Sequence, residues 1–176
     1  TFPELIDLQR SYHQQHDAWV KSTKAVNVLY VYDEEDEQLQ KKLSIHLSLL
    51  RRQNWIADLV PQKLLAGERK EDAINIYLDT AEIILLLVSA NFIASDYCYS
   101  QAMVRALQRK EENTARVIPI ILKECDWQTA PFHALQSLPR DASSVAASKN
   151  TDETLKNIAM ELRRVIEGLT KGTTTV

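Results

Sequence analysis

Cys98 sits near the start of a stretch with helical period, "SDYCYSQAMVRAL" (95–107), almost directly after the most apolar run in the chain, "EIILLLVSANF". A thiol near a helix N-terminus can have a lowered pKa and act as a nucleophile. No base is evident beside it, so a packed structural thiol is the competing reading. His13 and His16 have the HxxH spacing that sets two imidazoles on one helix face for a metal ion. No third ligand follows, and a solvated helix face accounts for them better, so no metal site is expected. "DEED" (33–36) is read as the solvated entry to a helix, its acids placed favourably near the positive end of the dipole. The chain has three glycines, Gly67, Gly168 and Gly172, none of them in the loop that directly follows the first apolar run. That excludes a glycine-rich phosphate cradle and a P-loop, and with them the ordinary dinucleotide dehydrogenases and P-loop NTPases.

The elements that must position these residues follow from periodicity. "VNVLYVY" (26–32), "WIADLV" (55–60), "EIILLLV" (82–88), "RVIPIIL" (116–122) and "SSVAA" (143–147) read as strands. The longest are apolar on both faces, as strands of a helix-covered parallel sheet are. Helical stripes lie between and after them: Leu39, Leu43, Leu47 and Leu50; Ala73, Ile74, Tyr77, Leu78 and Ala81; Tyr99, Ala102, Met103, Ala106 and Leu107; and, clearest, Leu155, Ile158, Ala159, Leu162, Val165 and Ile166. Asn150 with Glu153 suits the N-terminus of the last helix. The order βαβαβαβαβα predicts a doubly wound α/β domain with right-handed crossovers. Pro119 is awkward inside a strand because it removes a ladder donor. Ligands of such a sheet bind beyond the carboxyl ends of the strands, in the loops after residues 32, 60, 88 and 122. A phosphate-receiving domain shares this architecture, but its acceptor aspartate would end the third strand, which here ends Val88-Ser89.

A chain of 176 residues suits one domain, and 45% hydrophobic with 26% charged residues is a globular composition. A net charge of −3, with basic pairs scattered among acids, argues against nucleic acid or an anionic membrane as partner. Two cysteines, both in segments read as regular structure, make no disulfide framework and fit a reducing, cytoplasmic setting. "IILLLV" is far too short to span a bilayer, and the first residues do not resemble a signal peptide. Residues 1–25 read as a linker or an appended helix and 170–176 as a tail. A chain that begins at Thr1 rather than Met is expected to be a piece of something longer.

"LLVSANFIASDYCYSQAMVRAL", followed by "ARVIPIILKECDWQTAPFHALQSLP", resembles the second half of a bacterial-type TIR (Toll/interleukin-1 receptor) domain. The likeness extends over residues 26–169, including "HLSLLRRQ" in the first helix and "LLAGE" after the second strand. The resemblance implies a flavodoxin-like five-stranded parallel sheet of order 2-1-3-4-5 and a module that assembles with other TIR domains. It also implies NAD⁺ as substrate, since many members cleave it and release nicotinamide; no bound cofactor is expected. In those enzymes the third helix begins S-D-Y-C-x-x-x-E, and counting from Ser95 puts the catalytic glutamate position at Ala102. A carboxylate there stabilises an oxocarbenium-like sugar, which a methyl group cannot do. Gln101 is neutral and one helical step away.

Around that position the resemblance places a substrate pocket of Val31, Tyr32, Asp33, Ser89, Tyr97 and Cys98. Val31 and Asp33 stand where the family often has serines, while Tyr32 and Asp36 remain; Leu59, Val60, Pro61 and Gln62 stand where tryptophan, histidine, aspartate and arginine are common. The loop after the second strand, with Lys63, Leu64, Leu65, Gly67, Glu68 and Arg69, is the expected contact with neighbouring TIR domains. Two functions stay open: a signalling or defence module acting by homotypic assembly without catalysis, or an NAD⁺ glycohydrolase whose glutamate at 102 has been changed to alanine. Natural loss and an introduced change both account for Ala102.

Overall fold

The computed structural model describes residues 24–60 and 65–171. Along the chain come β1 (Val26–Val31), a 3₁₀ turn (Glu34–Asp36), α1 (Glu37–His46), α2 (Ser48–Arg52), β2 (Ile56–Asp58), α3 (Lys70–Thr80), β3 (Ile83–Val88), α4 (Ala90–Ala94), a π-helix (Asp96–Ala102), α5 (Met103–Glu111), β4 (Arg116–Ile121) and α6 (Thr151–Lys171). The strands form one parallel sheet in the order β2-β1-β3-β4.

Alternate residues of each strand go to opposite faces, and both faces are buried. Val28, Tyr30, Leu85, Leu87 and Ile120 pack with Leu43, Leu47 and Leu50 of the α1–α2 segment and with Leu155, Ile158, Leu162 and Ile166 of α6. Leu29, Val31, Ile84, Leu86, Val88 and Ile121 pack with Leu78 of α3, Cys98 and Ala102 of the π-helix, Met103 and Ala106 of α5, and Trp127 and Phe132 beyond β4. This is the doubly wound arrangement that two-sided apolar strands require. The expected last-helix cap is present: the Glu153 N–H donates to Asn150 Oδ1 at 3.1 Å.

The sheet has four strands where five were expected. Residues 143–147 run as bends and turns. Asp141 holds this segment in a turn by accepting from both the N–H and the hydroxyl of Ser143 (3.0 and 2.6 Å), and Ala142 has a φ of +60°. Small residues supply little apolar area to straighten it. It still touches the sheet: the Val145 and Ala146 N–H groups donate to Ile121 O and Leu122 O at 2.9 and 2.8 Å, and Leu138 bridges Ile120. No helix separates β4 from this segment, so the alternation predicted from the sequence also ends at β4. Pro119 is tolerated because its peptide faces that edge, where its carbonyl accepts from the Leu138 N–H at 2.9 Å, while β3 pairs with β4 along its full length. α6 continues to Lys171, past the expected boundary at 169. Cys125 lies in the loop after β4 rather than in regular structure.

Arg109 is a buried arginine with no carboxylate partner among the described residues. Its guanidinium donates to Leu78 O (2.8 Å) and Ala81 O (2.5 Å) at the end of α3, and to the carbonyl and hydroxyl of Thr114 (2.8 and 3.2 Å) before β4. One side chain thus closes the C-terminus of α3 onto the entry of β4.

Candidate functional site

The chain leaves β1 and β2 at the same end of the sheet, where the starts of α3 and of the π-helix also lie. Together they frame a cleft of about 540 Å³. Val31, Tyr32 and Asp33 come from the exit of β1, Leu59 and Val60 from that of β2, Lys70, Glu71 and Ile74 from α3, and Ser95, Tyr97 and Cys98 from the π-helix. This is the crevice that the strand order of a doubly wound sheet creates.

Local capping fixes the walls. Asp33 Oδ1 accepts from the Glu35 N–H at 3.0 Å and starts the 3₁₀ turn. Ser95 Oγ accepts from the Cys98 N–H at 3.2 Å and starts the π-helix. The Tyr97 hydroxyl donates to Asn75 Oδ1 at 3.0 Å, tying the π-helix to α3. Burial, and then the nearby Glu71 charge, push its phenol up to about 12. The Cys98 thiol is also pushed up, chiefly by burial, although the Ser95 hydroxyl works in the other direction. A helix start favours a thiolate, but here desolvation wins, so Cys98 is a packed thiol rather than an activated nucleophile. Among the described residues the lining carries four carboxylates, Asp33, Glu34, Glu35 and Glu71, and one cation, Lys70, which pairs with Glu34 at 3.2 Å.

Two expected pocket residues lie elsewhere. Ser89 is fully buried. Its Oγ accepts from the Phe92 N–H at 3.0 Å, capping α4, while its hydroxyl donates to Asp36 Oδ2. The other Asp36 oxygen lies 2.7 Å from Lys123 Nζ, an ion pair whose angles fall outside hydrogen-bond geometry. Asp36, Ser89 and Lys123 follow β1, β3 and β4, neighbours in the sheet, so topology joins what the sequence keeps far apart. Ala102 is likewise fully buried, in the apolar cluster with Leu29, Val31 and Met103, and is absent from the cleft lining. Gln101, before it, is exposed. Ala102 ends a π turn, whose i→i+5 bond runs from the Met103 N–H to Cys98 O.

A second polar group, unforeseen in the sequence, stands on the β1–β2 edge. Arg51 Nη1 donates to Asp58 Oδ2 at 2.8 Å, and the Tyr30 hydroxyl to Asp58 Oδ1 at 3.3 Å. Burial raises the Asp58 pKa despite the arginine and raises that of Tyr30 as well.

Leu65, Gly67, Glu68 and Arg69 are all exposed ahead of α3. Gly67 has φ +91°, a conformation suited to glycine. Lys63 and Leu64, with Pro61 and Gln62, lie outside the described residues, as do His13 and His16. Among the described residues no three His, Cys, Asp or Glu side chains cluster as a metal site would need, and no helix is long and apolar enough to cross a membrane.

The family model described as "TIR domain" matches residues 28–159. A relative in Sinorhizobium fredii (strain NBRC 101917 / NGR234), named "Uncharacterized protein y4lF", is 41% identical over 145 residues, 82% of this chain and 45% of the relative. The chain therefore spans less than half the length of that protein.

Proposed function

The chain belongs to the TIR domain family, and from that premise we propose that it is a cytoplasmic signalling or defence module, part of a larger protein, that works by homotypic TIR assembly without catalysis. The observation that carries the second half of this reading is the charge of the cleft. Among the described residues four carboxylates line it against one lysine, which pairs with one of them, Glu34. Such a lining repels the pyrophosphate of a dinucleotide, and in a partly enclosed site that repulsion is less screened than in water. Ala102, which stands at the family's glutamate position in the alignment of motifs, offers a methyl group where the chemistry wants a carboxylate.

The test is direct. The chain, dilute or concentrated, is expected to release no nicotinamide from NAD⁺ above a protein-free control; release above that control would overturn the non-catalytic reading. Assembly is tested separately through the exposed loop before α3. Arg69→Glu and Lys63→Glu are expected to weaken self-association in sedimentation velocity, and unchanged sedimentation would count against a role for this loop.

The alternative reading, an NAD⁺ glycohydrolase altered at position 102, draws on the size of the cleft and on Tyr32 and Tyr97 in its walls. It requires that a carboxylate introduced at 102 reach the cleft.

A further inference from the structure

A parallel sheet has two unlike ends, and in this molecule they differ in charge. We infer that they pair between copies: the acidic lip of the cleft at the carboxyl end of one molecule seats in a basic groove at the amino end of the next. The inference rests on the assembly reading above and specifies its faces and its polarity.

At the carboxyl end, Glu34 and Glu35 stand on the 3₁₀ turn; both are exposed, and Glu34, though it pairs with Lys70 at 3.2 Å, has a side chain 82% exposed. Asp33 and Glu71 stand behind them in the cleft wall. At the amino end, a groove of about 850 Å³ lies where β1, β3 and β4 begin and α6 ends. Lys24 and Arg116 stand on its rim, exposed and without an ion pair among the described residues, and Lys110 adds a third positive charge. The groove's two acids are engaged: Glu82 accepts from the Asn27 N–H at 3.1 Å, and Glu161 is held by Arg140 and Arg164 at 2.9 and 2.8 Å. The lining as a whole is net positive among the described residues, with Lys24, Arg116, Arg140 and Lys110, itself paired with Glu111, against these two carboxylates. Between the charges the groove is apolar, lined by Val26, Leu135, Val165 and Leu169.

Complementary rims of this kind steer encounter and fix register. Because the two faces are different patches at opposite ends of one body, the contact is heterologous. Its repetition stacks copies head to tail, each offering an open cleft end and an open groove end. A second copy of this chain supplies both faces.

Charge exchange tests the pairing. Glu34→Lys/Glu35→Lys makes both ends basic, and Lys24→Glu/Arg116→Glu makes both ends acidic. Sedimentation velocity of the unaltered chain should show association that weakens as salt is raised. Each double variant alone should associate at least about tenfold more weakly, since like charges then meet, and an equimolar mixture should recover association because opposite ends again match. Recovery also shows that both variants are folded. Variants that associate like the unaltered chain, or a mixture that stays dispersed when both variants keep their far-UV circular dichroism, would overturn the inference. If Arg69→Glu weakens association while the charge exchange has no effect, assembly stands and this pairing falls. A chain that does not associate even at low salt overturns both.

Discussion

Lys123 Nζ lies 2.7 Å from Oδ1 of Asp36, a carboxylate whose side chain is wholly buried and whose second oxygen accepts from Ser89. The lysine is 41% exposed, so water shares its charge, and the hydroxyl is the better-shielded partner. Ser89→Ala removes that donor and the α4 cap together. An unsatisfied buried acceptor and a lost cap each cost about 1–2 kcal/mol. The expected loss in a urea titration is therefore about 2–3 kcal/mol, and Lys123→Met, which leaves the buried carboxylate without its cation, should cost at least as much.

Arg109→Lys should be nearly as damaging as Arg109→Ala. An ammonium is a compact point charge and cannot span the end of α3 and the entry of β4 as the guanidinium fork does. Hydrogen bonds from a charged donor contribute about 1.5–3 kcal/mol each, and several are lost together. Both variants are expected to lose at least about 2 kcal/mol of unfolding free energy. A lysine variant matching the unaltered chain would show the carbonyls to be content without the fork.

Ala102→Glu places a carboxylate in a fully buried apolar cluster with no cation among its members. An uncompensated buried charge costs about 3–5 kcal/mol. The variant should be destabilised by that order, measured by thermal melting, and should still release no nicotinamide. A stable variant that gained hydrolysis would establish the glycohydrolase reading instead.

The two free cysteines should separate by reactivity. Both thiols are raised, chiefly by burial, but Cys98 is buried whereas Cys125 is only half-buried. Because the thiolate reacts, labelling by an alkylating reagent should be slow at neutral pH and quicken as pH rises past 9. Cys125 should label first, read out by peptide mass mapping; prior labelling of Cys98 would restore it as a candidate nucleophile.

Much of the fold was legible because strands buried on both faces read as near-continuous apolar runs: β3 is unbroken, and β1 and β4 are interrupted only by Asn27, Tyr30, Arg116 and Pro119. "SSVAA" was read as a strand for its aliphatic residues but has too little apolar bulk, and the Asp141–Ser143 turn beside it won. Tyr32, Asp33, Tyr97 and Cys98 do meet in one cleft, as the carboxyl-end rule for doubly wound sheets leads one to expect. Nothing in "SDYCYSQA" announces the π turn that leads to Ala102. Asp36 and Lys123 were invisible as partners because only the strand order brings them together.

Glu161 gives a test against acid. The Arg140 hydrogen bond, helped by the charges of Arg140 and Arg164, holds its carboxyl below the usual range although burial opposes this. A lowered native pKa means the ionised form favours the folded state. That contribution is present above the ordinary carboxylate range and is lost as pH falls through the lowered value. The stability gap between the unaltered chain and Glu161→Gln should be level from pH 6 to 8 and close below about pH 4. A gap independent of pH would mean that shape, not charge, is at work.

Both margins of the sheet are blunted. β2 offers three residues, and beyond β4 the strand's hydrogen bonds are answered by Leu138, Val145 and Ala146, beside a proline that has no donor to give. A foreign strand finds no open template on the β4 side, so this domain is guarded there against the strand addition by which exposed edges seed fibrils. Any joining of copies on that side would have to go through side chains, not through a shared backbone ladder.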